Sequence, residues 1–169
     1  MPFIGREKEL KKLNEFRKRK VAGIIICSGR RRIGKSTLIE HFGGGTKFWE
    51  FYGLAPRENL TNKDQLNHFG ELLAAKCNMP PLTFDNWNQA FELLAELTKN
   101  ESIILFLDEI SWMAGKDKDF VGKLKGIWDT KLKKNPKLIL VLCGSVSLWI
   151  EKNILKDKGF IGRVSLTYI

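Results

Sequence analysis

Val21-Ala22-Gly23-Ile24-Ile25-Ile26-Cys27-Ser28-Gly29-Arg30-Arg31-Arg32-Ile33-Gly34-Lys35-Ser36 changes character twice within a short span. Val21 to Ser28 is a continuous apolar, β-branched run, the pattern of a strand covered on both faces in a parallel sheet. Gly29 to Gly34 is a glycine-bounded turn. Lys35 to Phe42 reads as a helix stopped by Gly43-Gly44-Gly45. A loop that wraps phosphate needs backbone N–H groups pointing inward, and Gly29 and Gly34 tolerate the dihedrals this requires. Lys35 supplies a flexible cation for β- and γ-phosphates, and Ser36 supplies a hydroxyl for Mg²⁺. The helix opening there aims its positive end at the anion. Strand, loop and helix in this order make the stretch a P-loop, with Gly29, Arg30, Arg31, Arg32, Ile33, Gly34, Lys35, Ser36 and Thr37 as candidate ATP-binding residues. Arg30, Arg31 and Arg32 either add positive potential near phosphate or face solvent at permissive loop positions.

Working outward, Ile103-Ile104-Leu105-Phe106-Leu107-Asp108-Glu109 is a second buried-strand pattern, ending in two acids. Ligands of open α/β sheets bind at the carboxyl ends of the strands. An apolar run before Asp-Glu is weak evidence alone, but downstream of a P-loop it reads as a Walker-B element. Asp108 is the candidate Mg²⁺ residue alongside Ser36. Glu109 is the candidate general base that polarises the attacking water. An acid directly after the Walker-B Asp separates nucleotide hydrolases from many nucleoside kinases. GTP is disfavoured, because Asn62-Lys63-Asp64 is one residue short of a guanine-reading Asn-Lys-x-Asp. A third apolar run, Leu138 to Cys143, leads into Gly144-Ser145-Val146-Ser147. Ser145, or secondarily Ser147, is placed to hydrogen-bond the γ-phosphate or the lytic water; the alternative is a Gly/Ser turn that merely ends a strand. Gly162-Arg163 offers an Arg that could stabilise transition-state charge, though one Arg in a sequence proves nothing.

The remaining segments alternate. Leu10, Leu13 and Phe16 form a helical stripe, and Phe48 to Tyr52 is aromatic and strand-like. Thr61 or Asn62 caps a helix with the stripe Leu66, Phe69, Leu72 and Leu73. Thr83 is expected to cap the next, with Trp87, Ala90, Phe91, Leu94 and Leu97 inward. Phe120, Leu124, Ile127, Trp128 and Leu132 mark another helix, broken at Asn135-Pro136. Trp149, Ile150 and Ile154 predict a short helix, and Val164 to Ile169 a last strand. Strands alternating with helices imply βαβ units and a parallel sheet covered on both faces. With 169 residues, no internal repeat and no good linker, one domain over 1–169 is expected.

Composition narrows the class. The chain is 43% hydrophobic and 28% charged, and its net charge is +10. Its apolar runs are far shorter than the roughly 20 residues that span a bilayer, and Met1 to Arg6 lacks a signal-peptide plan. A cytoplasmic location with no membrane partner is expected. Cys27, Cys77 and Cys143 show no zinc spacing, and Cys27 and Cys143 read as buried small hydrophobes. Lysine and arginine cluster in two blocks, Lys8 to Lys20 and Lys116 to Lys137. These are either solvated helix faces or a surface for DNA or an anionic protein partner.

Phe3-Ile4-Gly5-Arg6-Glu7-Lys8-Glu9-Leu10, the P-loop, Phe106-Leu107-Asp108-Glu109-Ile110, Leu142-Cys143-Gly144-Ser145-Val146-Ser147 and Gly162-Arg163, in this order, resemble the archaeal-type ATPase family, a group of AAA-related, STAND-like P-loop ATPases of archaea and bacteria. The resemblance implies an α/β, three-layer P-loop NTPase core with a mainly parallel five-stranded sheet of order 5-1-4-3-2. It implies that Gly5 and Arg6 lie near adenine or ribose, that Ser145 is the sensor on the fourth strand, and that Arg163 faces the nucleotide. Family members commonly continue into a helical lid and a winged-helix or nuclease-like region. The chain ends near where the fifth strand should finish, and Val146 replaces the usual second small polar residue after the sensor. The expectation is therefore a core truncated before its lid and effector region, binding ATP with Mg²⁺ and hydrolysing it slowly. A homo-oligomer is a further candidate state. Two other classes share the same residues: a nucleotide-dependent, DNA-associated switch with little hydrolysis, and a small-molecule kinase, for which no acceptor pocket is identifiable.

Overall fold

The computed structural model describes residues 7–28, 35–43, 46–145, 147–157 and 164–168. Its strands are β1 (Gly23–Ser28), β2 (Lys47–Tyr52), β3 (Ile103–Asp108), β4 (Leu138–Gly144) and β5 (Val164–Tyr168). Its helices are α1 (Glu7–Arg17), α2 (Lys35–Gly43), α3 (Asn62–Lys76), α4 (Trp87–Thr98), α5 (Ile110–Ala114), α6 (Phe120–Thr130) and α7 (Ser147–Ile150), the last running into a π turn over Glu151–Leu155.

The strands are parallel and lie in the order β2-β3-β4-β1-β5. The unbroken ladder is the four-strand part, order 1-4-3-2, whose pairings run in constant register. The β1–β5 pairing differs, with a register shift between Ile24 and Ile25. Every residue of β1 and β4 is buried, as continuous apolar runs in a doubly covered sheet require. β2, on the sheet edge, instead alternates, with Trp49 and Phe51 buried and Lys47 and Tyr52 exposed. Phe48 and Glu50 therefore share the opposite face.

Two apolar layers result. On one face α3, α4, α5, α6 and α7 pack against the sheet through a core that includes Phe51, Phe69, Trp87, Phe91 and Phe120. Edge-to-face contacts knit its aromatics, with Phe69–Trp87 centroids 5.3 Å apart and Trp87–Phe120 centroids 4.9 Å apart. On the other face Leu13 and Phe16 of α1 and Ile39 and Phe42 of α2 cover Ile25, Cys27, Phe106 and Val141.

Local chemistry sets the helix ends. α3 begins with a capping box: Asp64 N donates to Thr61 Oγ1 at 3.1 Å and Thr61 N donates to Asp64 Oδ2 at 2.8 Å. The expected Thr83 cap is corrected. α4 starts later, at Trp87, because Asn86 is the residue whose Oδ1 accepts the Gln89 N–H at 3.0 Å. β1 likewise starts at Gly23, leaving Val21 58% exposed. Leu97 and Leu72 are only partly buried. No helix among the described residues is long and apolar enough to cross a membrane.

Candidate functional site

β1, β3 and β4 release their carboxyl ends at one edge of the sheet. Ser28 closes β1 opposite Gly144 of β4, the residue before Ser145. The polypeptide returns as α2, opened by Lys35 and Ser36, with Thr37 exposed in its first turn. Gly29, Arg30, Arg31, Arg32, Ile33 and Gly34 lie outside the described residues, as do Gly5, Arg6, Val146 and Arg163.

Asp108 ends β3 half-buried, and its Oδ1 accepts the N–H of Glu109 at 2.9 Å. By strand alternation Asp108 shares a sheet face with Phe106 and Ile104, the face covered by α1 and α2. Glu109 has a left-handed backbone, φ 49° and ψ 52°. A residue with a Cβ held there costs about 1–3 kcal/mol, and the conformation persists only where its surroundings offset that strain. The surroundings do so from several sides. Glu109 O accepts from Trp112 N at 3.0 Å and Met113 N at 3.1 Å, which starts α5 directly. Glu109 Oε2 accepts from Ser145 Oγ at 3.0 Å and lies 3.4 Å from Ser145 N. The strained turn thus carries a carboxylate sideways from the end of β3 to the end of β4. The structure brings Glu109 and Ser145 into contact, with Asp108 the neighbouring residue at the end of β3; the sequence pointed Ser145 at phosphate or water and did not foresee its bond to Glu109. For Ser147 only its place at the start of α7 is described.

Several supporting residues escaped sequence reasoning. Gly53 N donates to Asp108 O at 3.1 Å, continuing the β2–β3 pairing past Tyr52. A Cβ on Gly53 would sit 2.5 Å from Met113 N and 2.7 Å from Glu109 O, so α5 approaches as only a glycine permits. Gln65, 4% exposed, clamps the next residue: Leu54 N donates to its Oε1 and its Nε2 donates to Leu54 O, both at 2.8 Å. Its position one residue before the stripe residue Leu66 was the available signal. Glu50 is half-buried on β2, paired with Phe106 two rungs inward from Asp108 and on the same sheet face. Burial raises its pKa above the ordinary value, with further upward pushes from Asp108 and Glu40, while Lys76 opposes them. Its signal was a lone acid within the run Phe48-Trp49-Glu50-Phe51-Tyr52.

A parallel sheet with a glycine-bounded loop expected after β1 and paired acids at the end of β3 defines an α/β protein of the P-loop ATPase kind. Residues 3–169 match the model of the ATPase domain predominantly from Archaea, and the chain belongs to that family. A relative in Methanocaldococcus jannaschii, the uncharacterized protein MJECL04, is 28% identical over 167 residues, which cover 95% of this chain and 34% of the relative. Among solved structures, the Walker-type ATPase PABY2304 of Pyrococcus abyssi superposes with a TM-score of 0.63 at 18% identity, covering 98% of this chain and 53% of that one. The Aeropyrum pernix ORC2 protein, solved as ADPNP and ADP complexes, gives a TM-score of 0.61 at 15% identity, with 98% and 47% covered. Drosophila ORC bound to DNA gives 0.60 at 17% identity, with 97% and 42% covered. At these identities the structural likenesses carry the fold alone. The chain spans about a third of the length of the curated relative and about half that of the solved ones.

Proposed function

We propose that this chain is the nucleotide-binding core of a Mg²⁺-dependent ATPase that hydrolyses ATP to ADP and phosphate. In this reading residues 29–34 with Lys35, Ser36 and Thr37 hold the phosphates, and Gly5 and Arg6 lie by the adenosine. Ser36 and Asp108 hold Mg²⁺, which needs only one or two protein oxygens beside those of phosphate and water. The half-buried Asp108 carboxylate at a strand end, on the face covered by α2, fits such an ion. When bound, the metal would neutralise phosphate charge. Glu109 takes the proton of the attacking water, Ser145 orients Glu109, and Arg163 meets the developing charge on the γ-phosphate. The observation that carries the reading is the Ser145–Glu109 hydrogen bond, held by a left-handed Glu109, with Ser145 directly after the Gly144 that pairs with Ser28 at the end of β1. It gives the candidate base a fixed aim at the ligand edge of the sheet. Coupling of hydrolysis to an effector region outside these residues belongs to the same proposal.

The test pairs ATP binding with phosphate release. The natural chain should bind ATP in the presence of Mg²⁺ and release free phosphate. Lys35→Ala should lose binding, and Glu109→Gln should keep binding while hydrolysis falls about 10²–10⁴-fold. Unchanged hydrolysis in Glu109→Gln removes Glu109 as the base. Transfer of the phosphoryl group to an added nucleoside, in place of free phosphate, would instead establish a kinase.

A further inference from the structure

The opposite edge of the sheet, at the amino ends of β1, β3 and β4, holds a cleft of about 560 Å³. Its rim is cationic: Arg17, Lys18, Arg19 and Lys20 follow one another at the end of α1, and Lys137 enters from the turn before β4. All of these are exposed. Thr46 and Ser102 add hydroxyls, and among the described residues no Asp or Glu lines the cleft. The floor residues Ile103, Ile104 and Ile139 are 0%, 1% and 6% exposed, so the exposed lining is the cationic rim, the two hydroxyl residues, Val21 and Pro136, and its charged groups are all cations.

Helix-dipole compensation accounts for Arg17 in the last turn of α1. It does not account for Lys137, which arrives on a different element and faces the same space. The cations also stand on fixed supports. Arg17 Nη1 donates to Phe42 O at 3.1 Å, and the Arg19 guanidinium lies 5.0 Å from the Phe16 ring centre. Lys137 N donates to Asn135 Oδ1 at 3.0 Å, while Asn135 Nδ2 donates to Thr98 O at 2.9 Å and Glu101 O at 2.8 Å. Neighbouring Lys47 is already paired with Glu101 at 3.4 Å and adds little.

We propose that this cleft binds the phosphate backbone of a nucleic acid, on the sheet edge opposite the candidate ATP site. A protein partner would want a large apolar or aromatic anchor in the patch, and the exposed apolar lining is only Val21 and Pro136, neither of them aromatic. A membrane surface would need apolar side chains to insert, and this surface is concave. Cations and hydroxyls without base-reading apolar groups match backbone contacts, which position a protein without specifying sequence. The proposal is independent of ATP turnover.

Binding of short DNA and RNA duplexes of mixed sequence, followed by fluorescence anisotropy across a salt series, tests it. The natural chain should bind with a steep salt dependence, and a preference between the two duplexes names the source of the phosphates. The variant Lys18→Gln/Lys20→Gln/Lys137→Gln alters only exposed side chains and leaves Arg17 in place. It should bind more weakly, with the log–log salt slope reduced by roughly 0.9 for each phosphate contact removed. Lys116→Gln/Lys118→Gln/Lys125→Gln removes the same charge from a different surface and should keep the natural slope. ATP affinity should stay unchanged in both, which separates this proposal from the ATPase reading. Equal losses in the two variants, absence of salt-dependent binding by the natural chain, or tighter binding to a polyglutamate peptide or to anionic vesicles would each overturn the cleft assignment.

Discussion

Ser145 Oγ donates to Glu109 Oε2 at 3.0 Å, joining the residue just past β4 to the residue just past β3. A hydrogen bond to a charged acceptor contributes about 1.5–3 kcal/mol when its partner cannot find water. Here its larger effect is directional, since it holds the carboxylate over the edge where phosphates are proposed to sit. Ser145→Ala is therefore expected to lower the rate of phosphate release about tenfold or more with little change in ATP affinity. Ser145→Thr, which keeps the hydroxyl, should recover part of it. In Glu109→Gln, adding Ser145→Ala should cost almost nothing further, because the two act as a unit. Additive losses in the double variant would show that Ser145 works separately from Glu109.

Gly53 supports the same turn from the β2 side. An added Cβ would meet Met113 N at 2.5 Å and Glu109 O at 2.7 Å, both backbone atoms in the first turn of α5. Neither can yield without moving Glu109. Gly53→Ala is expected to lower stability by about 1–3 kcal/mol, the usual cost of overpacking. It should depress phosphate release more than ATP binding. Thermal melting and single-turnover assays read the two effects, and a variant with natural stability and turnover would show that α5 is free to shift.

Much of this arrangement was legible in the chain. The runs Ile24 to Ser28, Ile103 to Asp108 and Leu138 to Gly144 announce themselves because strands covered on both faces are apolar without interruption. Acids at the end of such a run point to the carboxyl edge of the sheet, which is where Asp108 and Glu109 stand. What stayed hidden depends on neighbours distant in sequence. Gly53 matters because α5 passes over it, and Gln65 because Leu54 lacks a strand partner there. α5 itself was missed, being five residues long and too short to show a period. Thr83 and Asn86 are both good caps by composition, and only the hydrogen bond from Gln89 N separates them.

Helix glycines give a contrast of sign. Gly70 lies within α3, where alanine is intrinsically favoured by about 0.5–1 kcal/mol. Its added Cβ would nonetheless sit 2.3 Å from Leu82 O, in the loop that packs across the helix. Gly122 and Gly126 of α6 have nothing within 4 Å of the same atom. Gly70→Ala should therefore destabilise, while Gly122→Ala and Gly126→Ala should each stabilise by about 0.5–1 kcal/mol. Chemical denaturation of the single variants decides it. A stabilising Gly70→Ala would mean that the 80–86 loop is not fixed against α3.

Glu50 yields a prediction with a pH signature. Burial, then Asp108 and Glu40, raise its pKa from the ordinary 4.5, and Lys76 only partly offsets them. The folded state thus holds this proton more tightly than the unfolded chain does. Its contribution to stability is fully present below pH 4.5 and is lost as pH rises through the higher folded value. Ionisation of Glu50 as pH rises leaves a half-buried charge near another acid, which opposes folding. Glu50→Gln keeps the shape without the charge, so it should melt at a higher temperature than the natural chain at pH 7. The two curves should converge as pH falls below the ordinary carboxylate range, where both side chains are neutral. Circular-dichroism melts across that range make the comparison. If Glu50→Gln were less stable at pH 7, the Lys76 attraction would outweigh the burial and the repulsion together. Glu50 would then be a structural ion-pair partner, and the acidic pressure beside Asp108 would have to be sought elsewhere.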